Sequence, residues 1–334
     1  MEVRVKTYFV TGGAGFIGTN FIKYLFESYG EDVRVINYDK LTYAGNREWL
    51  EEFEEKKNYR FVQGDILDEE LLSKIFKEEQ IDYVVHMAAE SHVDRSLQSD
   101  IEFFQTNVIG TRVIYHVIHN IWGDDIGDKR ILHVSTDEVY GELEESGQFM
   151  ENMPLHPNNP YSASKAGGEM VAIAYHKTYG LPIVRTRCSN NFGPYQHEEK
   201  LIPKCIKSCL NHKKIPVYGD GQNIREWLFV KDHCIAMDAV LLTGELGEVY
   251  NIGSHHEMSA LYIVTTILHY LKEHVDSSLS MDLIEFTEDR LGHDKRYAVN
   301  TDKIKRNLGW LPKTDFEKGM AVTIDWYLKE YGFR

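Results

Sequence analysis

The chain has 334 residues, of which 43% are hydrophobic and 27% charged, and a formal net charge of −15. That is enough apolar material for one large core with a smaller lobe. Such acidity excludes coating of nucleic acid or of an anionic membrane, and leaves an anionic ligand possible only at a local cluster of Arg, Lys and helix N-termini. Four cysteines, Cys188, Cys205, Cys209 and Cys234, are too few for a disulfide framework and point to a reducing compartment. Cys205 and Cys209 sit at i, i+4, but a second pair at zinc-ligand spacing is missing, so buried thiols are expected and no metal. The first residues carry no apolar segment followed by a small-residue cleavage site, and no run approaches the ~18 apolar residues of a membrane span; a cytoplasmic protein is expected.

In chain order, residues 5–10 read as a strand and 16–29 as a helix. Strands follow at 33–38, 59–63, 81–87, 130–135 and 181–187, with helical periodicity at 68–79, 101–121 and 161–179. Strands alternating with helices imply crossovers and a parallel sheet covered on both faces, and the nearly continuous apolar strands agree with burial on both sides. The fold class expected is α/β, a Rossmann-type doubly wound parallel sheet with a smaller C-terminal lobe. We place the dinucleotide domain at 1–190 and the lobe mainly at 191–334, some segments of which can return to the first domain. In the lobe, helices are expected near 201–211, 232–242, 259–274 and 316–331. Asn190–Pro194 and Val217–Gln222, rich in Asn, Gly and Pro, read as loops.

The turn after the first strand is Thr11-Gly12-Gly13-Ala14-Gly15-Phe16-Ile17-Gly18. Gly12 permits the tight turn, Gly15 the close approach of a pyrophosphate, and Gly18 close helix packing. Free N–H groups at the start of the helix favour negative charge there. Asp39 ends the second strand, 21 residues after Gly18. A carboxylate so placed accepts from the adenosine ribose hydroxyls and repels a 2′-phosphate, which selects NAD over NADP; Lys40 beside it weakens that selection. Asp65 and Ile66 after the third strand, and Ala88 and Ala89 after the fourth, leave room for a flat base and ribose.

Tyr161 and Lys165 form a YxxxK pair on one helix face, where the ammonium can lower the phenol pKa and hold the nicotinamide ribose, so that both residues are also expected to bind the cofactor, and the phenol can take a proton from a substrate hydroxyl. Pro160 suits the first turn of that helix. Ser135-Thr136 supplies a hydroxyl for the same substrate oxygen. Asp137 and Glu138 follow. Adjacent strand residues face opposite ways, so both can meet one substrate only if the strand ends there, as Tyr140-Gly141 suggests. Two close carboxyls do not both ionise easily, which leaves one as acid and the other as base.

These segments resemble the dTDP-glucose 4,6-dehydratase family of extended short-chain dehydrogenase/reductases. The matching stretches are TGGAGFIG (11–18), AAESHVDRS (88–96), STDEVYG (135–141), NPYSASKA (159–166), CSNNFGPYQ (188–196), EKLIPK (199–204), YGDGQNIREWLFVKDH (218–233), NIG (251–253), RLGHDKRYAVN (290–300) and LGWLP (308–312). The resemblance implies an NAD-dependent nucleotide-hexose dehydratase. Tyr161 with Lys165 would take the 4-OH proton while the C4 hydride leaves, Glu138 would take the C5 proton, Asp137 would protonate the departing 6-OH, and Thr136 would bond the C4 oxygen. It also assigns Ser91, Asn191, Lys200, Leu201, Pro216, Tyr218, Arg225, Arg290 and His293 to a nucleotide-diphosphate hexose. The family carries an Asn where this chain has Ala260 and a Gly where it has Ser254, so dTDP against UDP, and glucose against an N-acetylated sugar, stay open. Relatives pair the helices at 101–121 and 161–179 into an intersubunit four-helix bundle, and a homodimer is expected. Two other readings stand beside the dehydratase: a 4-epimerase or decarboxylase of the same superfamily, which needs Tyr161 and Lys165 but not the two acids, and a non-catalytic NAD-sensing protein.

Overall fold

The computed structural model describes residues 4–123 and 126–333. Strands β1 (Lys6–Thr11), β2 (Val33–Asp39), β3 (Tyr59–Gln63), β4 (Tyr83–His86), β5 (Arg130–Thr136) and β6 (Ile183–Cys188) alternate with helices α1 (Phe16–Tyr29), α2 (Glu69–Glu78), α3 (Val93–Gln98), α4 (Ile101–Phe104), α5 (Thr111–Trp122) and α6 (Pro160–Tyr179). Then come β7 (Asn190–Phe192), α7 (Leu201–Leu210), β8 (Ile215–Tyr218), β9 (Ile224–Phe229), α8 (Val230–Thr243) and β10 (Val249–Ile252). The chain ends with β11 (Glu257–Ser259), α9 (Ala260–His274), β12 (Ile284–Thr287), α10 (Asp302–Leu308) and α11 (Phe316–Glu330).

Seven parallel strands form the central sheet in the order β10-β6-β5-β4-β1-β2-β3. The order reverses between β1 and β4, and a crevice opens at the carboxyl ends of strands at such a reversal. One face of the sheet packs on α1 and α8 through Phe21, Leu25, Met237 and Leu241. The other packs on α2, α5 and α6 through Leu72, Ile114, Ile118 and Ala172. This is the Rossmann-type doubly wound sheet that the alternating pattern implied. The lobe has its own core, Ile206, Ile263, Ile267, Phe316 and Met320, beneath a three-stranded sheet β11-β9-β7 and the pair β12-β8. Among the described residues no helix is long and apolar enough to cross a membrane.

The structure departs from the pattern in places. The expected helix at 101–121 is broken: Gln105–Gly110 is a π-helical turn between α4 and α5. Asn107 holds it there. Its amide accepts from Glu90 N at 2.9 Å and donates to Glu90 O at 3.0 Å and to Ser164 Oγ at 2.8 Å. Such wide turns recur at functional sites, and periodicity cannot register a tertiary restraint of this kind. Asn190–Phe192, read as loop, is strand β7, because pairing with Trp227–Phe229 overrides the local turn chemistry. Val217 and Tyr218 complete β8; the turn proper begins at Gly219, with φ of 57° there and 72° at Gly221. Beyond residue 190, α8 and β10 lie on the large sheet.

Candidate active site

The crevice over β1, β4 and β5 is a cleft of about 330 Å³. Gly12, Gly15, Phe16, Ile17 and Gly18 line one end with Asp39, Lys40, Asp65, Ile66, Ala88 and Ala89; Ser91, Thr136, Asp137, Glu138, Tyr161, Lys165, Asn191 and Lys200 line the rest. Gly12 has φ of 72°, and a Cβ there would meet Ala88 backbone at 2.8 Å. At Gly18 a Cβ would fall 2.2 Å from Gly12 O, so this glycine packs the helix against its own entry turn. A Cβ at Gly15 would meet nothing closer than 3.4 Å, which leaves cradle space on the cleft side. Gly15 is the N-cap of α1, and no side chain caps the helix. Its first N–H groups therefore have no side-chain partner, an arrangement that suits an anion. Asp39 is fixed by accepting from Ala14 N at 2.9 Å and Leu41 N at 2.8 Å. Lys40 turns away to Asp65 at 2.7 Å. The residues thus fit a dinucleotide with a free ribose hydroxyl pair.

At the other end, β5 stops at Thr136 and the 3₁₀ turn Asp137–Tyr140 begins, so both acids line the same cleft. Thr136 Oγ1 accepts from Glu138 N at 3.3 Å and donates to Asp137 Oδ1 at 3.2 Å. Asp137 Oδ2 and Glu138 Oε2 are buried with no partner among the described residues. Burial, and then the Glu138 and Glu226 charges, push the Asp137 carboxyl well above the usual carboxylate range, against Arg225 and the Thr136 hydrogen bond. Burial also raises Glu138, but it faces three cations, Arg225, Arg290 and Lys200. The charges around the pair are therefore unequal, with Arg225 alone among cations beside Asp137 and three cations beside Glu138.

Helix α6 starts at Pro160 behind a capping box of Asn159 and Ser162. It brings Tyr161 and Lys165 into the cleft. Here the structure corrects one expectation. Lys165 Nζ donates to Val134 O at 2.8 Å, and burial followed by the Glu138 charge pushes the Tyr161 phenol well up, eased only by the Thr136 hydroxyl. Burial pulls Lys165 down to about 8. The phenol sits among carboxylates, and the ammonium does not offset them.

Leu201, Pro216, Tyr218, Arg225, Arg290 and His293 do not line this cleft. Both Tyr218 and Arg290 nevertheless reach Asp94 on α3, three residues past Ser91 of the lining: Tyr218 OH donates to Asp94 Oδ2 at 3.1 Å, and Arg290 Nη1 pairs with Asp94 Oδ1 at 3.4 Å. Lys200 Nζ donates to Ser91 O at 3.0 Å. His293 stands edge-on to Tyr218, ring centroids 6.2 Å apart, and pairs with Asp289 at 2.6 Å. Arg225 is buried, donating to Ile224 O at 2.8 Å and Asp294 O at 2.9 Å. Leu201 opens α7 and Pro216 lies in β8. Ala260 opens α9 and brings no polar side chain to its position. The sequence reading missed Glu90, Thr106, Cys188, Asn190, Gln196 and Glu199, which also line the cleft. Glu90 stands beside Ala88-Ala89 and was within reach; Thr106 enters only through the π turn. All four cysteines are buried and free.

Residues 9–323 match the family model described as GDP-mannose 4,6 dehydratase. A dTDP-glucose 4,6-dehydratase of Xanthomonas campestris pv. campestris is 47% identical over 97% of this chain and 93% of its own length. The low-salt glycan biosynthesis protein Agl12 of Haloferax volcanii is 49% identical over 96% and 97%. The crystal structure of DesIV, a dTDP-glucose 4,6-dehydratase of Streptomyces venezuelae with NAD bound, superposes with a TM-score of 0.90 at 44% identity, covering 98% of each chain. The chain belongs to the GDP-mannose 4,6 dehydratase family of nucleotide-sugar dehydratases.

Proposed function

We propose that the protein is an NAD-dependent nucleotide-hexose 4,6-dehydratase that converts dTDP-glucose to its 4-keto-6-deoxy product. The observation that carries this is the buried pair Asp137–Glu138, unequally faced by charge, in the same cleft as Tyr161 and Lys165. A 4-epimerase has no use for a second acid there. NAD, when bound, supplies a positively charged ring that takes the C4 hydride and gives it back at C6. Gly12, Gly15, Phe16, Ile17 and Gly18 would hold its diphosphate, and Asp39 its adenosine ribose. Tyr161 takes the 4-OH proton, with Thr136 donating to that oxygen. The 4-ketone acidifies C5–H, Glu138 removes that proton, and Asp137 protonates the leaving 6-OH. Lys200, Arg225 and Arg290 neutralise the diphosphate, Asn191 and Ser91 bond its sugar end, Tyr218 and His293 flank the base, and Leu201 and Pro216 bound that side.

The same reading places the enzyme in the cytoplasm, in line with its free thiols. It also makes the enzyme a homodimer through a four-helix bundle. Ile101, Ile109 and Met170 are 57%, 52% and 48% exposed on the helices that would pair, an apolar set a lone chain would cover. Light scattering at micromolar concentration should give twice the chain mass; a monomer sinks the bundle. Incubation with dTDP-glucose, UDP-glucose and UDP-N-acetylglucosamine, followed by alkali and the absorbance of a 4-keto sugar, tests the activity and the substrate together. A 4-epimer with no keto product would sink the dehydratase.

A further inference from the structure

Glu169 lies one turn beyond Lys165 on α6, and its carboxylate is completely buried. It accepts from Arg187 Nε at 3.0 Å and Arg187 Nη2 at 2.8 Å, and Arg185 Nη1 stands 3.4 Å away. Arg185 and Arg187 leave β6 two residues apart, hence from one face of the sheet. The Arg187 guanidinium lies 4.6 Å from the ring centre of Tyr140. That ring stacks on Phe149 at 4.8 Å, and its hydroxyl donates to Asn251 Oδ1 at 2.8 Å. Tyr140 closes the 3₁₀ turn whose first two residues are Asp137 and Glu138. An unbroken set of contacts therefore runs from the helix of Tyr161 and Lys165 to the turn of the two acids. Apolar side chains of similar volume in place of such a buried ion cluster are often neutral or stabilising, so stability alone does not account for it.

We propose that Glu169 is a positioning residue that couples the two catalytic elements, fixing the Lys165 ammonium on α6 and, through Arg187 and Tyr140, the Asp137–Tyr140 turn. The proposal rests on the dehydratase reading for its second half only. Lys165 is faced by Tyr161 and Glu169 from its own helix, by His86 from β4, by His133 from β5 and by Cys188 from β6. Burial holds both histidines neutral and the Cys188 thiol protonated, with its pKa near 12. Glu169 is thus the first charge that opposes the desolvation of the ammonium. Arg187, by contrast, touches the acid turn and not Lys165, so the two links can be cut separately.

Three variants of the holoenzyme cut them: Glu169→Gln, Glu169→Asp and Arg187→Lys. Removing the carboxylate costs the ammonium its counter-charge, so the Lys165 pKa should fall by about one unit, the low end for an adjacent opposite charge. Trace labelling with isotopic acetic anhydride, read by mass spectrometry across pH, gives that midpoint directly. The high-pH limb of kcat should move down with it in Glu169→Gln and return in Glu169→Asp, with KM unchanged. Arg187→Lys keeps the charge but loses the planar fork. It should leave the Lys165 midpoint in place and slow C5 deuterium wash-in about tenfold relative to C4 oxidation, as expected for a misplaced catalytic group. If Glu169→Gln does not fold, the double variant Glu169→Gln/Arg185→Gln, which leaves the net buried charge unchanged, replaces it. An unmoved Lys165 midpoint overturns the first link; equal slowing of oxidation and exchange in Arg187→Lys overturns the second. If the wild type makes no 4-keto sugar, the dehydratase reading fails while the labelling midpoint still decides the first link.

Discussion

Under β1 and β2, the cleft is shaped by backbone: a glycine turn at positive φ, an uncapped helix start, and one carboxylate pinned by two amide N–H groups. Toward β8, β9 and α7 the cleft ends at Lys200, and Arg225 and Arg290 stand beyond its lining; these charged side chains come from separated segments and are held by Ser91 O, by backbone carbonyls and by Asp94. In the first half no side chain caps the start of α1; in the second, Lys200 and Arg290 already hold partners, Ser91 O and Asp94. A backbone site tolerates few substitutions and fails by losing its ligand outright; a side-chain site fails by degrees.

The largest effects are expected where the halves meet. Glu138→Gln should oxidise C4 but lose exchange of the C5 proton with solvent. Asp137→Asn should exchange C5 yet fail to expel the 6-hydroxyl. Each loss is on the order of a hundredfold or more, the usual scale for a positioned acid or base. Deuterium wash-in at C5, with the absorbance of reduced nicotinamide as a second readout, decides; reversed behaviour of the two variants swaps their roles.

Next, Gly12→Ala should purify without NAD, since the added methyl meets Ala88 backbone at 2.8 Å in a left-handed turn. Arg290→Ala should keep its NAD and raise KM by roughly tenfold to a hundredfold, the worth of a hydrogen bond to a charged group. If Arg290→Ala loses the dinucleotide instead, the division into two halves is wrong. Asp39→Ala should then weaken NAD about tenfold and admit NADP. Isothermal titration with both dinucleotides reads this, and NADP bound more tightly by the wild type would sink the Asp39 argument.

The smallest effect is on stability. The fold raises the Asp137 pKa, so it favours the neutral carboxyl. Below about pH 3.9 the group is protonated in both folded and unfolded chains. As pH rises, the unfolded chain ionises first, and the wild type loses stability until the folded pKa is reached. Asp137→Asn should therefore melt a few degrees above the wild type at pH 8 and level with it near pH 4. At low pH kcat should fall as Glu138 gains a proton, because burial raises its carboxyl toward neutrality.

The backbone half was legible because its signals are local. The expected helix 16–29 has the bounds of α1, and Pro160 moved the start of α6 by one residue from the expected 161. The glycines and Asp39, set at fixed distances along the chain, line one end of the cleft. The side-chain half was legible only through resemblance, because Lys200, Tyr218 and Arg290 are brought together by the lobe's fold and not by sequence spacing. α3 was missed, although Asp94 on it is the partner of both Tyr218 and Arg290. The π turn was missed because Asn107 makes it by gripping Glu90 and Ser164, neither of which is a neighbour in sequence.

Strand β10 has a wider consequence. The chain leaves the large sheet after β6 to form β7, returns with α8 and β10, and leaves again for β11. A lobe tied to the sheet by one strap can swing wide; a lobe tied by several can only slide. Opening the cleft then has to be a small shear across many connections, with each stitch limiting the others. The stitching also means that a cut between residues 190 and 230 leaves the seven-stranded sheet unfinished: the N-terminal piece would lack its edge strand β10, and the C-terminal piece would carry α8 without the strands it covers.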